Sequence, residues 1–260
     1  MAVKVVDNVS FIGGGRVTRF LLEGWKRTEN TPKEIAVSDS NREVLAQLRA
    51  SFPNIQMCSN VDAARAALVI LAVHPPTMKD VLQEIQGTVS TDSVVLSLAP
   101  KVTTAAIQSA LGVQQVVRMI PNAPSAIGQG YNPVSYSDDI SAEMVEALER
   151  VFASWGESPE VPESDLEAYA IVSAMGPTYM WFQWQILREL AVGFGISQKA
   201  ADMAILRMLV GAAECLLAHG RDPREVLDMI PGKPLQSDEA RIVDVYSTKL
   251  TALYEKLQVS

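Results

Sequence analysis

Through the first half of the chain, short apolar runs alternate with longer stretches whose apolar residues recur every three or four positions. Residues 9–12, 35–37, 67–73, 93–98 and 115–119 read as strands, and the unbroken Ala-Leu-Val-Ile-Leu-Ala-Val of 67–73 suits a central strand covered on both faces. Between them, residues 17–27 place Val17, Phe20, Leu21 and Trp25 at helical spacing, and 42–52, 80–85 and 103–111 also read as helices. This alternation predicts a parallel, doubly wound sheet with right-handed crossovers. From Ser141 the strand pattern stops. Residues 144–155 are helical, 156–162 form a Gly/Pro break, and 166–174, 179–194, 198–219, 223–229 and 239–257 all read as helix. The change of periodicity predicts a first domain over 1–158 and an all-helical second domain over 159–260.

The first strand runs into Gly13-Gly14-Gly15 and then an amphipathic segment, the layout of a dinucleotide-binding strand, turn and helix in a Rossmann-type α/β fold. Gly13 permits the tight turn, and Gly15 lets the backbone approach a pyrophosphate that the following helix N-terminus, at Arg16 and Val17, would favour. Thr18 stands where a small residue usually allows close helix packing. Arg16 either faces a bound anion or points to solvent, since a cation in a first helical turn opposes the macrodipole. At the end of the second strand, Asp39 argues for NAD, whereas Ser38, Ser40 and Arg42 suit the 2′-phosphate of NADP; Asp39 is also a reasonable N-cap for the next helix.

The run 67–73 delivers Ala72, Val73 and His74 to the carboxyl end of the sheet, where ligands of open α/β sheets bind. His74 is a candidate acid there, or merely shapes the loop ahead of Pro75. Residues 116–130 carry Pro121 and Pro124 around Asn122, with Gly128 and Gly130 close behind, which makes a stiff turn at a strand end. It reads equally as a wall for the nicotinamide or as a structural turn. In the helical half, apolar residues spread round much of 200–217, and Trp181, Phe182 and Trp184 fall within one turn, so burial against a second subunit is expected.

Composition narrows the function classes. The chain has 260 residues, 48% hydrophobic and 20% charged, which suits an ordinary globular protein. A formal net charge of −8 without a basic tract argues against nucleic acid. Two distant cysteines, Cys58 and Cys215, and two histidines, His74 and His219, give no metal-ligand spacing. No apolar run approaches the roughly 20 residues of a membrane span, and residues 1–8 lead straight into the first strand, so a cytoplasmic location is expected.

Several stretches together resemble pyrroline-5-carboxylate reductase, an NAD(P)H-dependent enzyme that reduces a cyclic imine to proline. Ile12-Gly13-Gly14-Gly15 resembles its glycine turn, Ser59-Asn60-Val61-Asp62-Ala63-Ala64 its adenosine-side Asn motif, and Leu71-Ala72-Val73-His74-Pro75 its A-V-K-P strand end with His74 in place of Lys. Val117-Arg118-Met119-Ile120-Pro121-Asn122-Ala123-Pro124 is similar to R-x-M-P-N-T-P, which lines the nicotinamide. The resemblance implies NADP or NAD held by Gly13, Gly15, Arg16, Val17, Ser38, Asp39, Ser40, Asn60, Ala72, Val73, His74, Asn122 and Pro124. It also implies a homodimer through the helical domain, sometimes assembled further, with the substrate between that domain and the cofactor.

The second half departs from the family. S-G-S-G-P-A-Y stands here as Ser173-Ala174-Met175-Gly176-Pro177-Thr178-Tyr179, and S-P-G-G-T-T as Ile230-Pro231-Gly232-Lys233-Pro234-Leu235. Met175, Gly176, Pro177, Gly232 and Lys233 are thereby the expected substrate-side residues, with hydroxyls removed that would bind an anionic substrate. Lys233 offers a point charge for a carboxylate in their place, or is a solvated surface residue. Tyr179 and Lys233 are the candidate proton donors. The leading expectation is a reductase of a cyclic imine or related C=N or C=O group. A deazaflavin-linked NADP oxidoreductase and a non-catalytic dinucleotide-binding homologue are the alternatives.

Overall fold

The computed structural model describes residues 7–28 and 31–258. The reading of the first eight residues falls mostly outside them. The chain divides into two compact units, one holding the described residues through Met175 together with those from Leu253 onward, the other Gly176–Ala252.

In the first unit, β1 (Asn8–Ile12), β2 (Glu34–Ser38), β3 (Gln56–Met57), β4 (Leu68–Leu71), β5 (Val94–Ser97), β6 (Val116–Met119) and β8 (Val134–Tyr136) form one sheet in the order β3-β2-β1-β4-β5-β6-β8. The first six strands are parallel and β8 closes the edge antiparallel to β6. Strand order reverses between β1 and β4, which puts the binding crevice of such a sheet at the carboxyl ends of these two strands. Every residue of β4, β5 and β6 is buried, as the apolar runs require. Sequence pattern did not reveal β3 or β8, nor the short pair β7 (Gly130–Tyr131) and β9 (Gly156–Glu157), because strands of two or three residues are too short to display alternation.

The crossover helices are α1 (Arg16–Lys26), α2 (Arg42–Ser51), α3 (Asn60–Ala63), α4 (Pro75–Ile85), α5 (Thr104–Leu111) and α6 (Ala142–Phe152). Side chains of Asn41, Ser59, Thr103 and Ser141 cap four of them by accepting a backbone N–H of the first turn. An aromatic cluster fixes α1. The Trp25 indole donates to the carbonyl of Val151, that of Trp155 donates to the carbonyl of Leu21, and the two rings lie 4.9 Å apart beside Phe11 and Phe152. Both tryptophans are fully buried, each contributing on the order of 3 kcal/mol of apolar burial, so α1 is held firmly by its C-terminal half.

The sequence pattern changes at 158/159, yet residues up to Met175 group with the sheet. There α7 (Leu166–Tyr169) continues into a π-helical turn, Ala170–Ala174, and Leu166 and Ala170 bury against Ile120.

The second unit is built from α8 (Gly176–Gly193), α9 (Gln198–Leu217), α10 (Pro223–Asp228) and most of α11 (Gln236–Leu257). Phe182, Ile186, Leu190 and Phe194, spaced by four, form an exposed apolar stripe, and Met203, Leu206, Val210 and Leu217 are exposed on α9. Among the described residues no helix is long and apolar enough to cross a membrane.

Candidate functional site

Gly13 follows β1 with φ of +106°, and its N–H donates to the carbonyl of Ser38 at 2.8 Å. A β-carbon here would lie 2.6 Å from the Ala72 carbonyl oxygen, so the β1 turn and the end of β4 meet across a glycine. Gly15 is the N-cap of α1, and nothing lies within 4 Å of where its β-carbon would be. No side chain caps α1 and no acidic residue stands in its first turn. Among the described residues its leading amides thus have no side-chain acceptor, and the positive end of the helix macrodipole lies behind them. That arrangement fits a pyrophosphate. Thr18 is buried without disturbing the turn, because its hydroxyl donates to the Gly13 carbonyl at 2.5 Å.

The adenosine-side candidates converge on the same edge. Asp39 uses both oxygens on backbone, accepting from Gly14 N–H and from Asn41 N–H at 2.7 Å each. It thus braces the glycine turn, while Asn41 caps α2. Ser38 donates to Asn60 Oδ1 at 2.6 Å, and Asn60 in turn donates to Glu84 at 2.7 Å. Ser40 and Arg42 are exposed at the start of α2. Val73 is half-buried against Gly13; His74 is exposed at the N-cap of α4, where its carbonyl, not its ring, accepts from Thr77.

Asn122 is 7% exposed and fully engaged. Its backbone N–H donates to Asn132 Oδ1, its Oδ1 accepts from Tyr131 N–H at 3.1 Å, and its Nδ2 donates to the Ser173 carbonyl at 3.2 Å. The side chain thereby pins the turn, and the backbone carbonyl accepts from Ser125 N–H at 3.0 Å. Pro124 lies in the following 3-10 helix, Ala123–Ile127, packed on Gly24 of α1.

Met175 closes the π turn, donating its N–H to Ala170 at 3.1 Å. Gly176 and Pro177 open α8, and Gly232 lies in an exposed loop. The Tyr179 ring meets Tyr246 edge-on at 6.0 Å; burial first, then the neighbouring Tyr246, push its pKa above the ordinary tyrosine value. Lys233 is 37% exposed and 3.7 Å from Asp228.

Arg118 is part of the R-x-M-P-N-T-P-like stretch, but the partners it meets escaped the sequence reading. Arg118, 1% exposed in the middle of β6, pairs with Glu163 at 3.0 Å and with Glu167 at 2.7 Å. An arginine inside the apolar Val-Val-Arg-Met run and two glutamates four apart were the available signal.

The sheet order, the crevice at its switch point and the uncapped helix behind a glycine turn define a dinucleotide-binding α/β protein. Residues 8–110 match the family model described as NADP oxidoreductase coenzyme F420-dependent. The pyrroline-5-carboxylate reductase of Corynebacterium melassecola is 31% identical over 226 residues, 85% of this chain and 84% of that protein. Among solved structures, the NADP-bound pyrroline carboxylate reductase of Plasmodium falciparum matches at a TM-score of 0.81 and 19% identity, covering 97% of each chain. That of Coxiella burnetii matches at 0.71 and 25%, again over 97% of each. The chain belongs to the pyrroline-5-carboxylate reductase family. It is an NAD(P)H-dependent reductase resembling those enzymes.

Proposed function

We propose that this protein reduces a cyclic imine of the pyrroline-5-carboxylate type, working as a cytoplasmic homodimer. The observation that carries the reading is the glycine turn at the switch point: Gly13 wedged against Ala72, open space at Gly15, and α1 uncapped behind it. A reduced nicotinamide dinucleotide, when bound, supplies the hydride. The amides at the start of α1 bind the diphosphate, Asn60 and Ser38 shape the adenosine side, and the Pro121–Pro124 turn, braced by Asn122, orients the nicotinamide end and excludes water. Reduction also needs a proton at the imine nitrogen, held by a side chain or acquired beforehand in solution. Tyr179 is the candidate side chain for it, and Lys233 the candidate cation for a substrate carboxylate.

The exposed stripe of Phe182, Ile186 and Leu190 on α8, continued by Phe194 just beyond it, supports the homodimer, since four large apolar residues at fourfold spacing suit a subunit contact better than a wet surface. The test is oxidation of NADPH and of NADH with pyrroline-5-carboxylate. Turnover with proline as product is expected, and tight cofactor binding without turnover would remove the proline assignment. A deazaflavin-linked oxidoreductase is the second reading, favoured by the description of the family model over residues 8–110. Hydride exchange between NADP and a deazaflavin, without imine reduction, would select it.

A further inference from the structure

Residues 118–122 run extended out of β6, so Arg118, Ile120 and Asn122 fall on one face. Each meets a residue of the segment 163–175. Arg118 pairs with Glu163 and Glu167, Ile120 buries with Leu166 and Ala170, and Asn122 donates to the Ser173 carbonyl. The order matches: as the strand side advances from 118 to 120 to 122, its partners advance from 163 and 167 to 166 and 170 and then to 173. The result is a ladder of three rungs, ionic, apolar and amide, that joins the Pro121–Pro124 turn to the segment ending at Met175.

The ionic rung is not what the fold demands. Val116 and Ile120, its neighbours two positions away along the same face, are ordinary buried apolar residues, and an apolar residue at 118 would avoid desolvating a guanidinium and a carboxylate. What a forked, buried ion pair provides, and an apolar contact does not, is a fixed distance. The carboxylates extend the clamp further. Glu167 accepts from Lys101 N–H, and Glu163 accepts from the N–H and hydroxyl of Thr104, so the loop leaving β5 is held by the same charges. At the other end, the π turn has its Met175 N–H on Ala170, five residues back, and turns the Ser173 carbonyl to Asn122.

We propose that Arg118, acting through Glu163 and Glu167, is a positioning residue that sets where Asn122 meets Ser173, and so fixes the cofactor-side turn against Met175. This rests on reading the Pro121–Pro124 turn as the nicotinamide side. E167Q keeps the shape and hydrogen bonding but removes the charge, R118K keeps the charge but loses the fork, and S93A removes a buried hydrogen bond to Ala66 away from the ladder.

With pyrroline-5-carboxylate, R118K and E167Q are each expected to lower kcat about 10- to 100-fold while the Kd for NADPH stays within about threefold. Exchange of the Tyr131 N–H, which is held by Asn122, is expected to speed by about tenfold in both. S93A should move neither, whatever it does to Tm. In an N122A background, E167Q should cost no further kcat, because its effect passes through Asn122. The proposal is overturned if R118K and E167Q behave like S93A, or if E167Q and N122A add. Should R118K fail to fold, E167Q carries the test. Should the natural chain not turn over pyrroline-5-carboxylate, the functional reading fails on its own, and Tyr131 exchange still decides whether the ladder positions Asn122.

Discussion

Gly13 and the carbonyl of Ala72 approach so closely that a β-carbon on residue 13 would sit 2.6 Å from the Ala72 oxygen. Gly13 also holds φ at +106°, a region that side-chain-bearing residues rarely enter. The end of β4 and the glycine turn of β1 are thus one rigid edge. Gly13→Ala is expected to cost about 1–3 kcal/mol from backbone strain, with the clash added to it. Because the β1 turn must retreat from β4, NADPH affinity should fall together with the midpoint of urea unfolding. A variant with unchanged stability and unchanged Kd would contradict this account of the turn.

Asp39 has its two oxygens on the amides of Gly14 and Asn41, so its first task is to hold the loop. The exposed Ser40 and Arg42 beside it suit a 2′-phosphate, and NADPH is the expected preferred cofactor. Arg42→Ala should raise the KM for NADPH about tenfold or more, the worth of one charge-assisted hydrogen bond, and leave that for NADH nearly unchanged. Equal effects on both cofactors would count against it.

The stripe Phe182, Ile186, Leu190 and Phe194 is 64%, 51%, 48% and 79% exposed in a single chain. Placing a charge in its course should block subunit contact. Sedimentation velocity is expected to find a dimer or larger assembly for the natural sequence and a shift toward monomer for Phe182→Glu. A monomer in both would remove the proposed interface.

Burial pushes the Glu163 carboxyl up, but the N–H and hydroxyl of Thr104 and the Arg118 guanidinium outweigh it and hold its pKa below the ordinary value of 4.5. A carboxyl lowered on folding contributes stability that is fully present above its unfolded value and is lost as pH falls through the folded one. Stability should therefore decline in acid below about pH 4.5, and Glu163→Gln should flatten that part of the curve. Chemical denaturation between neutral pH and strong acid provides the comparison.

Among the described residues the Lys233 ammonium has a long, exposed contact with Asp228, which fixes it weakly. If it meets a substrate carboxylate, Lys233→Ala should raise the KM for the imine about tenfold with little change in Kd for NADPH. An unchanged KM would mark it as a surface lysine.

The strand and helix alternation, the buried β4, the glycine turn and the switch to helix were legible in the amino-acid sequence. Each depends on neighbours within one element: apolar runs for covered strands, threefold and fourfold spacing for helices, glycines where no β-carbon fits. The Rossmann-type sheet followed by a helical region accordingly appears in the structure with the expected order of elements. The Asn motif also reads locally, yet its pairing with Ser38 across 22 positions does not.

What only the tertiary structure decided are the relations between distant segments. Asp39 bracing Gly14, Asn122 reaching the Ser173 carbonyl, and Arg118 lying between Glu163 and Glu167 join residues 25, 51, 45 and 49 positions apart. Local periodicity tells which face of an element is apolar. It cannot tell which buried donor meets which acceptor, because that is set by sheet order and by the register of β6 against the segment 163–175. The glycine turn was thus written in the sequence, whereas the clamp of Arg118, Glu163 and Glu167 beside the Pro121–Pro124 turn exists only once the chain has folded.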